Sequence, residues 1–274
     1  MTSPLLVLKQ DIKEYLSSFR SLLSRRALFV GLIDAAFYLF AIALSLAMGK
    51  VGKIWADSLM GGLGTVSFAD AAPAAAAKAV AIKLLLFTFL FFLIIFLGWL
   101  VSRGLIWAII AGKRYTWRFA WRSIIVNAVW LLILAVPIVY LFRGLYQAVQ
   151  YGPTPDMQIY YWYHLVFFII VLYLTYLMNY LFTRHERVLI TWRDMIVRAV
   201  IGLPKMLLPF LLMLCSLVVL VWASKALNFL PEMLSTILGG VLFFASFTWA
   251  KMYYHAALTR KLAFGRATAL RKRK

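Results

Sequence analysis

Residues 183–198 read TRHERVLITWRDMIVR, and this stretch decides how the chain is organised. It lies between two long apolar runs. Its own charges recur every few residues, which makes it a poor membrane span. Val188, Leu189, Trp192, Met195, Ile196 and Ala199 recur at helical spacing. Arg187, Asp194 and Arg198 fall on the opposite face, together with Ile190 and Val197, so the amphipathic pattern is imperfect. The pattern predicts a helix lying at a membrane surface, with Trp192 at headgroup depth.

The pattern occurs earlier and starts again later. Ser102-Arg103 leaves an apolar run, and Tyr115-Thr116-Trp117-Arg118 with Arg122 enters the next. Thr259-Arg260-Lys261 starts it again. Arg103 and Arg184 are 81 residues apart, Arg184 and Arg260 are 76, and Trp117 and Trp192 are 75. These offsets predict a weak internal repeat of two membrane helices plus a basic connector. The units cover about 27–112, 113–200 and 201–260, and they run parallel, unlike the inverted repeats of many carriers.

Composition points the same way. The 274 residues are 65% hydrophobic and 14% charged, with a mean hydropathy of +0.89. Soluble domains have about 45–50% apolar and about 25% charged residues. The net charge of +20 would suggest nucleic acid in a soluble protein. Here the basic residues flank apolar runs, so topology and anionic headgroups account for them, and nucleic acid is not an expected partner. The single cysteine, Cys215, excludes a disulfide within the chain and reads as a small buried hydrophobe. His164, His185 and His255 are far apart and no metal-ligand motif is present, so neither a metal nor another cofactor is expected.

Six runs reach the ~20 residues that cross ~30 Å of hydrocarbon. They are about 27–48, 79–101, 123–142, 160–182, 203–223 and 233–254. The expected architecture is an all-α polytopic bundle of three hairpins joined by amphipathic connectors. An amphipathic segment at 1–26 precedes the 27–258 membrane domain, and a basic tail at 259–274 follows it. Residues 1–26 do not read as a signal peptide, because the first long apolar run begins too late and is too long. Its Leu5, Leu8, Ile12, Leu16, Phe19 and Leu23 share one face. Residues 49–78 read as the largest external loop, with helix near Ala74–Ala79. Pro137 and Pro209 read as kinks, and 143–158 as a turn-rich link.

Six spans place both ends of the chain on one side. That side carries 22 of the 29 Lys and Arg residues, the other 6, and Lys251 falls within a span. The asymmetry predicts that both termini are cytoplasmic.

Asp34 and Lys251 are the sharpest candidates for chemistry. Each interrupts an apolar run at similar depth, where a charge must face protein, water or a partner. A pair between them is the expectation, with a snorkelling Lys251 as the alternative. Asn127, Asn179 and His255 fall near the same level. Together the five could line a cavity for a headgroup, an ion or a proton, or serve as interhelical hydrogen-bond glue. Candidate lipid or partner contacts are Arg103, Trp117, Arg118, Arg122, Arg184, Arg187, Trp192, Arg193, Arg198 and Arg260. No nucleophile with a base, carboxylate pair or phosphate-binding glycine loop is present. The sequence therefore points to a non-catalytic accessory or scaffold subunit contacting anionic lipid and other membrane proteins. A transporter or channel for a lipid or small anion is the alternative.

Overall fold

The computed structural model describes residues 4–63, 71–151 and 157–271. All eight helices lie among these residues, and no strand does. Helix α1 (Pro4–Ser18) passes through a 3-10 turn at Phe19–Leu23 into α2 (Arg25–Leu63). Then come α3 (Ala71–Ala111), α4 (Trp117–Tyr151), α5 (Met157–His185), α6 (Val188–Ile201), α7 (Leu203–Ala226) and α8 (Glu232–Arg271), with a 3-10 turn at Leu227–Phe229 before α8.

Six stretches are long and apolar enough to cross a membrane: Arg25–Trp55, Ile82–Ala111, Trp117–Pro137, Trp162–His185, Leu203–Ala226 and Glu232–Leu262. Their outer faces carry bare apolar side chains, among them Leu39, Phe40, Leu46, Leu85, Phe92, Leu132 and Val219. Covering one such side chain is worth about 1.5–3 kcal/mol, so half a dozen in water would cost as much as a whole domain's net stability of about 5–15 kcal/mol. A bilayer removes that cost. Six helices of this length and composition suit a multi-pass membrane protein.

The helices are longer than the sequence suggested. The expected loop at 49–78 is helical as far as Leu63 and again from Ala71, and only 64–70 lies outside the described residues. The link at 143–158 is helical to Tyr151 and from Met157, with 152–156 outside them. The tail from 259 continues α8 to Arg271, and 272–274 lie outside. Alanine runs and isolated Gly or Lys residues are compatible with helix once neighbouring turns have paid for nucleation. Helix α4 runs through Pro137 and α7 through Pro209. Cys215 is exposed rather than buried.

The chain forms two units, Met1–Leu32 with Gly104–Lys274, and Ile33–Arg103. In the second, α2 and α3 run antiparallel. Asp34 meets Arg103, Phe37 lies beside Gly98, and Trp55 packs on Phe87 at 5.3 Å.

The first unit is held by rings. Trp107 meets Tyr176 at 5.7 Å, Tyr176 meets Tyr254 at 5.6 Å, and Phe210 meets both Tyr173 and Tyr254. Edge-to-face pairs of this kind add about 0.5–1.5 kcal/mol beyond area. They matter here because lipid tails compete for apolar area as well as leucine does.

Local chemistry sets the helix ends. Ser24 caps α2, its Oγ accepting from Ala27 N, and Thr116 caps α4 in the same way through Phe119 N. Helix α3 stops at Gly112 (φ 66), with Gly112 N bonded to Ile109 O and Lys113 N to Ala108 O. This is the paired-carbonyl ending that requires a left-handed residue. The first connector is therefore a short link rather than a surface helix, and Arg118 and Arg122 belong to α4 itself. The second connector does hold a separate helix, α6. Gly202 lets α7 follow it closely, since a Cβ there would sit 2.6 Å from Arg198 O.

Candidate functional site

The polar residues of the first unit fall into neighbouring groups. Trp130 Nε1 donates to Thr175 Oγ1 at 2.8 Å, and Phe119 meets Phe182 at 5.0 Å, which sets the antiparallel register of α4 and α5. That register places Asn127 and Asn179 level with each other, one turn nearer the connectors than the Trp130–Thr175 bond. Both are fully buried. Each spends its amide N–H on a carbonyl one turn back, Ser123 O and Thr175 O, at 2.9 Å. Neither Oδ1 has a hydrogen-bond partner among the described residues. On α8, Lys251 is buried and His255 stands one turn further on. The His255 ring meets Tyr180 at 5.4 Å and Trp107 at 6.1 Å.

The N-terminal segment supplies a group the sequence did not announce. Helix α1 runs antiparallel along α8. Asp11 contacts Lys261 Nζ at 2.7 Å and Arg260 Nη2 at 3.3 Å, Glu14 ion-pairs with Arg260, and Ser18 Oγ accepts from Trp249 Nε1 at 2.9 Å. The Tyr15 and Ser216 hydroxyls bond at 2.6 Å, tying α1 to α7. Asp11 is buried, whereas Ile12, Leu16 and Leu23 on the expected apolar face are exposed. On this helix Asp11, Tyr15 and Ser18 meet protein, while Lys9, Gln10, Lys13 and Ser17 are exposed.

Between this segment, the start of α2, the end of α3 and α8 lies a cleft of about 300 Å³. Glu14, Ser21, Arg26, Ile110, His255 and Arg260 are among its lining residues. Arg26 and Ile110 stand at the ends of their spans on the side of the α3–α4 and α5–α6 links, called here the connector side.

The two links on that side are joined. Glu186 is the only non-glycine residue with positive φ among those described, at 51°, and ends α5 through its N–H to Phe182 O. Its carboxylate meets Lys113 Nζ at 2.6 Å and its carbonyl accepts from Arg122 at 2.9 Å. On α6, Asp194 lies 3.1 Å from His185 Nε2, 3.6 Å from Arg198 and 3.7 Å from Arg193. Leu189, Ile196, Val200 and Ile201 point outward, and the buried face is Thr191 and Met195. Trp192 packs on Trp130 at 6.0 Å.

Other expected contacts divide accordingly. Trp117 is exposed and stacks on Trp121, and Arg118 and Arg187 are also exposed. Arg184 is half-buried, and its Nη1 has no acceptor among the described residues. Behind Trp117, Gly104 packs so closely that a Cβ would lie 2.8 Å from Ser123 Oγ. Burial beside it pushes the Tyr115 phenol above the usual tyrosine range.

In the second unit, Asp34 and Arg103 form an ion pair at 3.5 Å, and the Arg103 guanidinium also lies 5.7 Å from the Trp99 ring centre. Arg103 therefore faces protein more than headgroups.

Comparison with known protein families, characterised proteins and solved structures finds no match to this chain. Function must be argued from the residues.

Sequence reading missed Asp11, Glu14, Tyr15 and Arg26. The signal lay in acid scarcity. With 9 acids against 29 bases, an acid beside the basic connectors is in demand as a partner. Asp11, Glu14, Asp34, Glu186 and Asp194 all engage basic side chains.

Proposed function

We propose that this chain is a non-catalytic membrane protein, an accessory or scaffold subunit that holds anionic lipid headgroups on its connector side and other membrane proteins along its flanks. One observation carries the reading: the acids of the connector side are tied up in ion pairs, while Arg114, Arg118 and Arg187 are left exposed, and outward-facing Trp117 and Trp121 flank Arg118 in sequence. Exposed cations beside interfacial indoles suit anionic headgroups. Helix α3 adds a long flank, since only 6% of its most apolar window is buried. The 22-to-6 charge split supports placing both termini in the cytoplasm. The three parallel two-helix units with basic connectors belong to the same reading.

Purification from native membranes in a mild polymer tests it. A stoichiometric membrane-protein partner with co-isolated anionic lipid is the expected result. A chain that purifies alone, and that conducts a solute once reconstituted, would replace it with the transporter reading. That second reading has its own support, because Asp34 and Lys251 are buried charges inside apolar spans. It requires flux that disappears in both Asp34→Asn and Lys251→Met.

A further inference from the structure

We propose that the cleft between the N-terminal segment, the end of α3 and α8 takes the phosphate of a phospholipid headgroup, with Arg26 as the charged donor and the His255 ring N–H beside it. The proposal rests on the lipid-contacting part of the reading above and names one site for it.

The charges in and around the cleft single out Arg26. Arg260 is engaged by Asp11 and Glu14, and Lys261 by Asp11. Arg26 makes no ion pair among the described residues and is exposed. It lies over the end of α3, where a Cβ on Gly112 would stand 3.5 Å from Nη2. Gly112 ends the helix through its positive φ, and the arginine lies within ordinary contact range of it. A guanidinium presents a planar fork of donors that matches phosphate oxygens.

The rest of the cleft suits an amphipathic ligand. Ser17, Ser18 and Ser21 line one wall, and their hydroxyls bond to carbonyls one turn back. Such hydroxyls can rotate, so a proton can turn toward an incoming oxygen. The lining also includes apolar Ile110, Met252 and Ala256. The volume of about 300 Å³ is at the small end of ligand sites, which run from ~300 to ~1,000 Å³, and fits a headgroup rather than a whole lipid. Arg26 and Ile110 stand at span ends, the depth at which lipid phosphates lie.

The test uses the full chain in detergent, titrated with dioctanoyl phosphatidic acid, dioctanoyl phosphatidylcholine or inorganic phosphate and read by native mass spectrometry. Saturable lipid binding is expected. Arg26→Gln should weaken it at least about tenfold, the usual scale for one lost charge-assisted bond. Arg26→Lys should keep most of it, and Arg20→Gln, on an exposed residue outside the cleft, should leave it unchanged. Ala256→Phe should abolish binding by filling the cleft while altering no charge. Inorganic phosphate that matches the lipid in affinity and Arg26 dependence would keep the phosphate site and make free phosphate its source.

Wild-type binding by Arg26→Gln and Ala256→Phe would overturn the proposal. If either variant fails to fold, the unmodified chain still decides: lipid must slow amide exchange at 17–26 and leave 188–201 unaffected. Equal or absent protection overturns the site. Partner purification is a separate readout, so the scaffold can fail while this site stands.

Discussion

Asp11→Ala is the sharpest test of how the N-terminal segment is held. The carboxylate is 4% exposed, with Lys261 at 2.7 Å and Arg260 at 3.3 Å. Breaking a fully buried pair costs about 3–5 kcal/mol because the partner is left buried and uncompensated. Here the two cations are 16% and 21% exposed, and Arg260 retains Glu14. Both can turn toward water or headgroups, which lowers the expected loss to about 1.5–3 kcal/mol. The loss should appear as local opening of α1, since its remaining polar ties are Glu14 to Arg260, Tyr15 to Ser216 and Ser18 to Trp249. At 1.4 kcal/mol per factor of ten, amide exchange across α1 should speed up by about 10- to 100-fold while α5 keeps its protection. Lys9→Ala, on an exposed neighbour, is the control. Adding Lys261→Ala to Asp11→Ala should recover part of the loss by removing an orphaned cation. Exchange in Asp11→Ala within twofold of wild type would refute the reasoning.

Glu186 supplies a paired comparison. Glycine relieves a left-handed conformation that costs other residues about 1–2 kcal/mol, but loses a half-exposed ion pair worth about 0.2–1 kcal/mol. Thermal unfolding in detergent should leave Glu186→Gly close to wild type and place Glu186→Ala below both; equal Gly and Ala variants would contradict the geometry. Gly104→Ala should lower the same midpoint by the equivalent of about 1–3 kcal/mol through overpacking, and adding Ser123→Ala should restore part of it by removing the nearest atom; no recovery would contradict the contact. Cys215 is exposed midway along α7, so in intact membranes a lipid-soluble maleimide should label it and a charged impermeant one should not. Labelling by the charged reagent would remove α7 from the bilayer.

The candidate site was only partly legible in the sequence. Lys251 and His255 stood out because polar residues in an apolar run are costly, and the first unit places both on α8, one turn apart. Asp34 stood out for the same reason, and the second unit gives it Arg103 as an ion-pair partner. Asp11 and Arg26 did not stand out, because charges near a chain end look like ordinary solvated residues. Their roles come from contacts with residues 250 and 86 positions away, Lys261 for Asp11 and Gly112 for Arg26, distances no local pattern spans.

The sequence by itself determined the six apolar spans and the separate helix α6. Those features are sums over neighbouring residues, and transfer into hydrocarbon is additive along a helix. Only the tertiary structure decided which face of each helix meets protein, so Cys215 points outward and α1 lies along α8 with its acids inward. Lipid and a neighbouring helix are equally apolar, and hydropathy cannot distinguish them. Ion pairs and ring contacts between distant residues made that choice.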